Sequence, residues 1–312
     1  MNPTLGSAKV DKILSQFSQM YRNSDYIAEL ILPPLKVKEK TGKFAKYGKE
    51  NLRVYSNMIY RAPGTRAFGV DYSVSQGSYR TEERSVEKKV PDEMVNNTDD
   101  PYEPKRDATA VCMDVIWGNQ ELALATSLAS TSIITQYSTL SGTSQWSDYA
   151  NSDPIANIET AINTVRAATG KRPNTMVLSH AVFTKLKYHP DIREQLKYTN
   201  GGQLSDAQFI QGLKDFFMLK DVFIGSAIYD SATEGQTASL ADIWGKHCWL
   251  FYKTERPTLM QATFGYTFFD VPREVDTYRE ESTRSDIVRQ RYSYDMNLMD
   301  TALCYAIRDA IL

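Results

Sequence analysis

Residues 52–90 contain too little apolar surface to fold by themselves. The segment 52–55 predicts an outward strand, 62–65 a turn and 70–74 the start of a return strand. Polar side chains would lie on both faces of these strands, and a hairpin with so little apolar surface is marginal in water. We therefore expect this segment to become ordered by lying on something else, and this expectation constrains the fold more than any other feature.

The charge of the chain is balanced overall but not along its length. Lys and Arg together number 36 and Asp and Glu 38, which gives a net charge of −2. A dedicated nucleic-acid binder has a strong basic excess, so this balance argues against one. Residues 1–70 nevertheless contain 12 basic and 5 acidic residues, a local charge of +7 that leaves −9 for the remainder. Copies of the chain, or the chain and a polyanion, are therefore expected to meet through the N-terminal segment.

The sequence lacks the motifs of common catalytic and cofactor sites. It contains no phosphate-binding loop, no GxGxxG, no HExxH and no EF-hand pattern. The cysteines form no CxxC pair, and the histidines share no metal-ligand spacing. These residues are Cys112, Cys248, Cys304, His180, His189 and His247. We expect free thiols, no cofactor, no metal and no enzymatic activity. Because no run of about 18 apolar residues occurs, we also expect no membrane span.

Two alternatives come from other functional classes. Ser179 next to His180 could be a nucleophile beside its base, which would make the chain a soluble hydrolase. Adjacent residues on a helix point to different faces, however, and no GxSxG motif surrounds the serine. The second alternative is a monomeric DNA-binding protein that uses the basic N-terminal segment, which the acidic remainder of the chain disfavours.

A long helix and an α/β body follow the hairpin. Residues 107–139 predict a helix of roughly 30 residues, long beside the usual length. The stripe expected to be buried comprises Val111, Val115, Gly118, Leu122, Ala125 and Ala129. Asp153 and Pro154 predict the start of the next helix and Gly170 its end. Strands are predicted at 175–178, 222–224, 247–252, 262–269, 274–280 and 286–294, with 302–312 closing the chain.

Several short motifs have a recognisable order. They are RAPG at 61–64, VDYSV at 70–74, VPDE at 90–93, DPI at 153–155, GKRPNTMVLS at 170–179 and HPDI at 189–192. With the order of tether, polar hairpin, long helix, α/β body and β tail, they resemble the major capsid proteins of tailed phages, which have the HK97-like fold.

This resemblance implies an α+β fold with four parts. They are an N-terminal arm at 1–50, an extended β-hairpin loop at 51–92, a peripheral domain with a spine helix and tail strands at 93–144 and 271–312, and an α/β axial domain at 145–270. The implied function is structural: hexamers and pentamers of the chain form the icosahedral head shell around double-stranded DNA. The protein would assemble in the host cytoplasm and remain in the virion. The alternative within this fold is the shell protein of an encapsulin-type bacterial nanocompartment.

The resemblance also implies partners and contact residues. The partners are other copies, a separate scaffolding protein, the portal, cement proteins and packaged DNA contacted non-specifically. The expected inter-subunit contact residues are Lys36, Lys38, Lys40, Lys43, Arg53, Arg61, Arg66, Tyr72, Arg80 and Arg84. The basic stretch 36–49 either binds the genome or meets the acidic surface of a neighbour, and the sequence leaves both open.

Two departures from the family pattern add expectations. Some relatives join subunits through an isopeptide bond from a lysine of the extended loop, but no lysine occurs here between Lys49 and Lys88. We therefore expect no autocatalytic cross-linking. Some relatives begin with a scaffolding segment of their own, and a hairpin that starts near residue 52 leaves no room for one. This is the reason for expecting a separate scaffolding protein.

Overall fold

A computed structural model of the chain shows the predicted α+β architecture. It describes residues 9–10, 14–15, 18, 26–47, 60–61, 63–67, 69, 74–96, 103–200, 205–233, 235–254 and 262–312. None of the helices in these ranges is long and apolar enough to cross a membrane.

The first large sheet is built around one long strand from the tail of the chain. Its strands are β1 (Lys9–Val10), β2 (Pro34–Lys36), β5 (Glu82–Pro91), β12 (Gly265–Phe269), β13 (Glu274–Glu280) and β14 (Ser285–Leu298). The long strand β14 pairs antiparallel with β5 on one side and with β12 and β13 on the other. β2 then pairs parallel to β12, and β1 antiparallel to β13. The tail strands were predicted close to their observed positions.

Helix α3 covers one face of this sheet. The short helix α1 (Ala28–Ile31) precedes β2 along the chain, and the short helix α2 (Asp92–Asn96) follows β5. Helix α3 itself spans Pro104–Ala129. Its buried residues Ala108 and Ile116 pack against apolar residues of β5 and β14. The helix therefore links the hairpin to the tail strands.

Two predictions for this helix are wrong. It ends at Ala129 instead of 139, and Tyr137–Thr139 forms strand β6. Val111 and Val115 of the predicted stripe are 46% and 43% exposed. Apolar side chains occur on nearly every side of α3, so the sheet, and not the periodicity, decides which side is buried.

The hairpin begins earlier than predicted. Its strands are β3 (Thr41–Tyr47) and β4 (Val74–Arg80), which pair antiparallel from Thr41 with Arg80 to Tyr47 with Val74. The lysines at 41–47 predict a solvated basic loop of the N-terminal arm, and this prediction is wrong for the residues that form β3. The predicted turn is present at Pro63–Gly64, whereas the predicted strand 52–55 and residues 70–73 lie outside the described residues.

The second large sheet carries a layer of four helices. Its strands run in the order β6, β15 (Cys304–Arg308), β11 (Cys248–Phe251), β7 (Thr175–Ser179) and β8 (Asp221–Gly225). Its helices are α4 (Pro154–Thr169), α5 (His180–Tyr188), α6 (Pro190–Asn200) and α7 (Asp206–Phe217). A small separate sheet pairs β9 (Ile228–Asp230) with β10 (Leu240–Asp242). The main apolar core lies between the helices and this second sheet.

Helix α4 follows its sequence signals. The Asp153 side chain accepts a hydrogen bond from the backbone N–H of Ala156, Pro154 is the first residue, and Gly170 ends the helix with φ of 70°. Ile158 and Val165 of this helix face the core and are both fully buried.

Three strands lie in a different sheet from the one that the predicted domains imply. Residues 93–144 and 271–312 were assigned to the peripheral domain, but β6 and β15 pair with each other in the second sheet, beside strands predicted for the axial domain. Strand β12 was assigned to the axial domain at 145–270, but it pairs with β14 and β2 in the first sheet. Alternation along the sequence identifies a strand but does not say which sheet it joins.

Candidate assembly interface

Aromatic rings hold the base of the hairpin on the first sheet. Phe44 of β3 and Tyr79 of β4 stack on Phe268 of β12, with ring centroids 5.5 and 4.6 Å apart. Phe268 itself is 3% exposed. Such pairs contribute about 0.5–1.5 kcal/mol beyond the burial of their area. The three rings therefore fix the hairpin where it leaves the sheet.

Two glycines make room for these rings. Gly77 lies opposite Phe44 across the hairpin, and Gly42 lies opposite Tyr79. A Cβ atom at either glycine would collide with the opposite ring. Each ring thus lies across a glycine of the neighbouring strand, which fixes the register of the two strands.

Hydrogen bonds complete this anchor. The backbone N–H of Arg80 donates to Asp295 Oδ2 at 3.0 Å, and Asn297 Nδ2 donates to the carbonyl of Ser78 at 3.0 Å. The buried residue Thr81 joins β4 to β5, and its N–H donates to the carbonyl of Lys40 at 2.8 Å. The base of the hairpin is therefore tied to β14 by side chains and to the preceding segment by the backbone.

The described residues of the distal hairpin, which lie between 60 and 69, are turned towards solvent. All described residues between 60 and 69 are exposed, and Tyr60 is 88% exposed. A Cβ atom at Gly64 or Gly69 would meet nothing within 4 Å. An aromatic ring so exposed is typical of a surface that a partner covers.

The predicted contact residues lie along this hairpin and beside it. Those within the described residues are all exposed, namely Lys36, Lys38, Lys40, Lys43, Arg61, Arg66, Arg80 and Arg84. Arg53 and Tyr72 lie outside the described residues. Contact of any of these residues with a neighbouring subunit stays a prediction.

Three of the predicted residues line one cleft at the hairpin base. Lys43, Arg80 and Arg84 surround a space of about 760 Å³ together with Glu82 and Asp295. The Arg84 guanidinium lies 4.2 Å from the ring centroid of Tyr294 and donates to the Tyr294 carbonyl at 3.0 Å. This cleft has cations in fixed positions and carboxylates beside them, so it can bind a surface that carries both charges.

The face of the first sheet opposite α3 is charged. Arg289 and Arg291 of β14 both approach the buried carboxylate of Asp276, with N–O distances of 3.0 and 2.8 Å. Val288 and Tyr292 point the other way and are buried. On the face that carries the arginines, Ile287 and Ser293 are buried as well, so only the middle of this face of β14 is charged. A half-buried network of this kind orients its charges in fixed directions.

A buried carboxylate joins three parts of the fold. Glu121 of α3 accepts hydrogen bonds from the backbone N–H groups of Ile27 and Ala28, and from Trp244 Nε1 at 2.6 Å. Burial raises the pKa of Glu121 to about 7, although these hydrogen bonds act in the opposite direction. No signal in the sequence indicates that Glu121 is buried, because a glutamate in a helix usually faces solvent. Its hydrogen-bond partners also lie far from it along the chain.

The structure does not support the serine hydrolase alternative. Ser179 is fully buried, and its Oγ accepts a hydrogen bond from the backbone N–H of Val182 as the cap of α5. The His180 side chain is exposed, and within the described residues it makes no hydrogen bond to Ser179. The serine therefore has a structural role as a helix cap.

The remaining candidates for chemistry are structural too. The three cysteines are free, as predicted, and all three are buried. Burial raises the pKa of each thiol. Buried thiols of this kind are unreactive. The described part of the chain contains no group of three or more His, Cys, Asp or Glu residues that could hold a metal ion.

Comparisons with known proteins agree with this geometry. The sequence profile of the family described as "Phage major capsid protein E" matches residues 134–264. The major capsid protein of Burkholderia phage BcepMu is 26% identical over 288 residues, which cover 90% of each chain. The major capsid protein of Pseudomonas phage JBD67 is 28% identical over 263 residues, which cover 83% of this chain and 82% of the relative.

Solved structures show the same fold. A phage-related protein from Bordetella bronchiseptica matches with a TM-score of 0.76 and 26% identity, covering 96% of this chain and 97% of that one. A chain of the capsid of cyanophage P-SCSP1u matches with a TM-score of 0.55 and 10% identity, covering 99% and 92%, which is a likeness of fold alone. Together with the anchored hairpin and the two sheets, these matches show that the chain has the HK97-like fold and is similar, over most of its length, to the major capsid proteins of phages.

Proposed function

We propose that copies of this chain close into the icosahedral head shell of a tailed phage, around double-stranded DNA. The observation that carries this proposal is the hairpin, which is anchored at its base by Phe44 and Tyr79 and exposed at its described residues between 60 and 69. A long hairpin with few contacts in its own subunit gains stability when it lies on a neighbour. Obligate interfaces formed in this way often exceed about 2,000 Å².

The partners follow from this role. Copies meet as hexamers and pentamers, and a separate scaffolding protein, the portal and cement proteins complete the particle. The proposed division keeps an arm, an extended loop, a peripheral domain and an axial domain, with β3 assigned to the extended loop, β12 to the peripheral domain, and β6 and β15 to the axial domain. The particle encloses DNA without sequence-specific contacts.

The cleft at the hairpin base favours a protein neighbour over DNA as its occupant. Glu82 and Asp295 lie among the three cations of this cleft. Phosphate backbones are bound by surfaces of one sign, with a strong dependence on salt. A cleft of mixed charge suits the mixed charge of another subunit.

A structural role without enzymatic activity is the second part of the proposal. It is supported by the use of Ser179 as a helix cap. The nanocompartment alternative is not favoured, because both curated relatives are phage major capsid proteins. A nanocompartment would also require a cargo enzyme among the neighbouring genes, where a phage has portal, protease and terminase genes.

Replacing the distal hairpin tests the proposal. In the variant, residues 48–73 are replaced by Asn-Gly, which can join the paired ends of β3 and β4 as a tight turn. We expect subunits that keep the circular dichroism of the wild type but form no shells in negative-stain electron microscopy. Both proteins are expressed with the neighbouring phage genes, so that scaffolding is present.

A matched control shows whether the loss of shells comes from the missing side chains of the hairpin or from its shorter length. It replaces the same 26 residues by a Gly/Ser linker of equal length and should also fail to form shells. Shells of normal size from either variant, or no shells from the wild type, would contradict the proposed function.

A further inference from the structure

One exposed face of α4 changes charge from its beginning to its end. The residues along this face are Asp153, Glu159, Asn163 and Arg166, and Gly170 follows directly after the helix. The opposite face of α4 is buried on the second sheet through Ile158, Ala161 and Val165. The charged side chains are therefore turned away from the core.

Carboxylates surround the first half of this face. A shallow cleft of about 340 Å³ lies between α4 and α6, and its charged lining residues are Asp153, Glu159, Asp191 and Glu194. No basic side chain lines it. We call Asp153, Asp191 and Glu194 the acidic patch, with Glu159 at its boundary. Within the described part of the chain, Glu194 forms no ion pair.

Guanidinium groups and apolar side chains surround the other end. A second cleft of about 420 Å³ lies between α4 and the end of α7. Arg166, Arg172 and Phe216 line it, and Glu159 borders it on the side of the first cleft. Arg172 donates to the Phe217 carbonyl at 3.0 Å, which holds its side chain beside Met218. We call Arg166, Arg172, Phe216 and Met218 the basic patch.

The apolar members of the basic patch are unusually exposed. Met218 is 73% exposed and Phe216 is 39% exposed. Met218 also has φ of 51° in the left-handed region, where glycine or asparagine normally ends a helix. A large apolar side chain in this position adds backbone strain and exposed surface, and neither is explained by contacts within the subunit.

Interactions within one copy explain only part of this arrangement. Asp153 caps α4, and Arg166 near its last turn suits the helix dipole. These effects do not account for Glu194, Arg172 or the exposed apolar pair. Asp153 and Arg166 are thirteen residues apart, about 20 Å along a helix, so the two patches of one copy cannot neutralise each other.

We infer that the acidic patch of one copy binds the basic patch of the next copy, head to tail. This inference rests on the proposed function and names the contact between its subunits. Each copy presents both patches, so the same contact repeats, and a repeated head-to-tail contact closes into a ring when the rotation fits. Exposed ion pairs contribute little singly, so Phe216 and Met218 supply apolar contact while the charges set the register.

Charge reversal tests the pairing. Glu194→Arg and Arg166→Glu each place like charges at every contact, and we expect each to lower the yield of shells at least about tenfold. The double variant restores opposite charges at every contact and should recover most of the yield. A mixture of the two single variants should also form rings when the two variants alternate, because each contact then joins patches of opposite charge. Such rings must contain an even number of subunits.

The control is Lys185→Glu, which reverses an exposed charge of α5 outside both patches. All proteins are expressed with the neighbouring phage genes, and shells are counted by negative-stain microscopy and rings by native mass spectrometry. Circular dichroism checks folding, and Glu194→Gln with Arg166→Gln replaces any reversal that unfolds the subunit, with a smaller loss expected.

Each outcome has one reading. Normal shells from both single variants, a double variant no better than either, or an equal loss with Lys185→Glu would overturn the head-to-tail contact. In the first of these cases the wild type still forms shells, so the proposed function would stand. Absence of wild-type shells would instead overturn the proposed function.

Discussion

The carboxyl group of Glu121 is fully buried and joins α3 to the segment at Ile27 and to Trp244. Burying a carboxylate is costly unless hydrogen bonds satisfy it, and here three donors do so. These hydrogen bonds hold the short helix α1 beside α3 and the second sheet. One side chain thus fixes how three distant segments meet.

The first prediction concerns the pH dependence of stability. The pKa of Glu121 is raised by burial to about 7, above its ordinary value of 4.5. Between these values the folded subunit holds a proton that the unfolded chain has lost. The contribution of the protonated Glu121 side chain to the free energy of unfolding is therefore complete below pH 4.5. This contribution falls by roughly 3 kcal/mol as the pH rises to 7. Urea denaturation of dissociated subunits across this range, followed by tryptophan fluorescence, measures it.

The matched variants are Glu121→Gln and Glu281→Gln. Glu121→Gln has no proton to titrate, so its stability should lack this fall. At pH 5 it should also be about 1–3 kcal/mol less stable, because an amide cannot accept all three hydrogen bonds. Glu281 is highly exposed, and its variant should behave as the wild type. Parallel pH curves for wild type and Glu121→Gln would refute the assignment.

At the scale of elements, the hairpin base depends on rings that lie over glycines. Gly77 has the ring of Phe44 directly opposite, with no space for a methyl group. Any side chain there must displace the ring from Phe268 and loosen β3 and β4 from the sheet.

The second prediction follows from this contact. Gly77→Ala should weaken the anchor by about 1–3 kcal/mol, the usual cost of overpacking. Limited proteolysis should cut the hairpin faster, and the yield of shells should fall. Gly69→Ala is the control, because nothing lies within 4 Å of its added methyl group. Equal protease resistance of the two variants would show that the rings do not hold the hairpin.

Local signals predicted some elements well and failed for others. Asp153, Pro154 and Gly170 define α4 by themselves, so its bounds could be predicted. The buried side of α3 could not, because the helix is apolar on nearly every side and the sheet selects among them. Strand β3 was predicted as a loop because its lysines hid its pairing with β4, thirty residues away.

The candidate site was predictable to a similar degree. The resemblance to capsid proteins indicated Lys43, Arg80 and Arg84 as contact residues, and the structure brings these three to one cleft. The anchoring rings were missed, because Phe268 lies more than 180 residues from Tyr79. Long-range contacts of this kind leave no periodic signal in a single sequence.

At the scale of the whole molecule, the hairpin contains no lysine side chain beyond Lys49. No lysine occurs between Lys49 and Lys88, so an isopeptide bond to a neighbour has no donor there. The third prediction is that this chain, from mature shells boiled in SDS, migrates as a monomer without covalent multimers above it. Samples with and without reducing agent should agree, since all three cysteines are buried. Covalent ladders that resist reduction would contradict it.

The position of β15 also governs when the subunit can fold. This strand lies between β6 and β11, and it pairs with residues about 170 positions earlier at Tyr137–Thr139. Contacts between such distant residues form slowly, because a large loop must close first. A chain synthesised only as far as β14 therefore lacks the strand that joins β6 to β11, β7 and β8. We expect completion of this sheet, and with it subunit association, to wait until synthesis has passed residue 308.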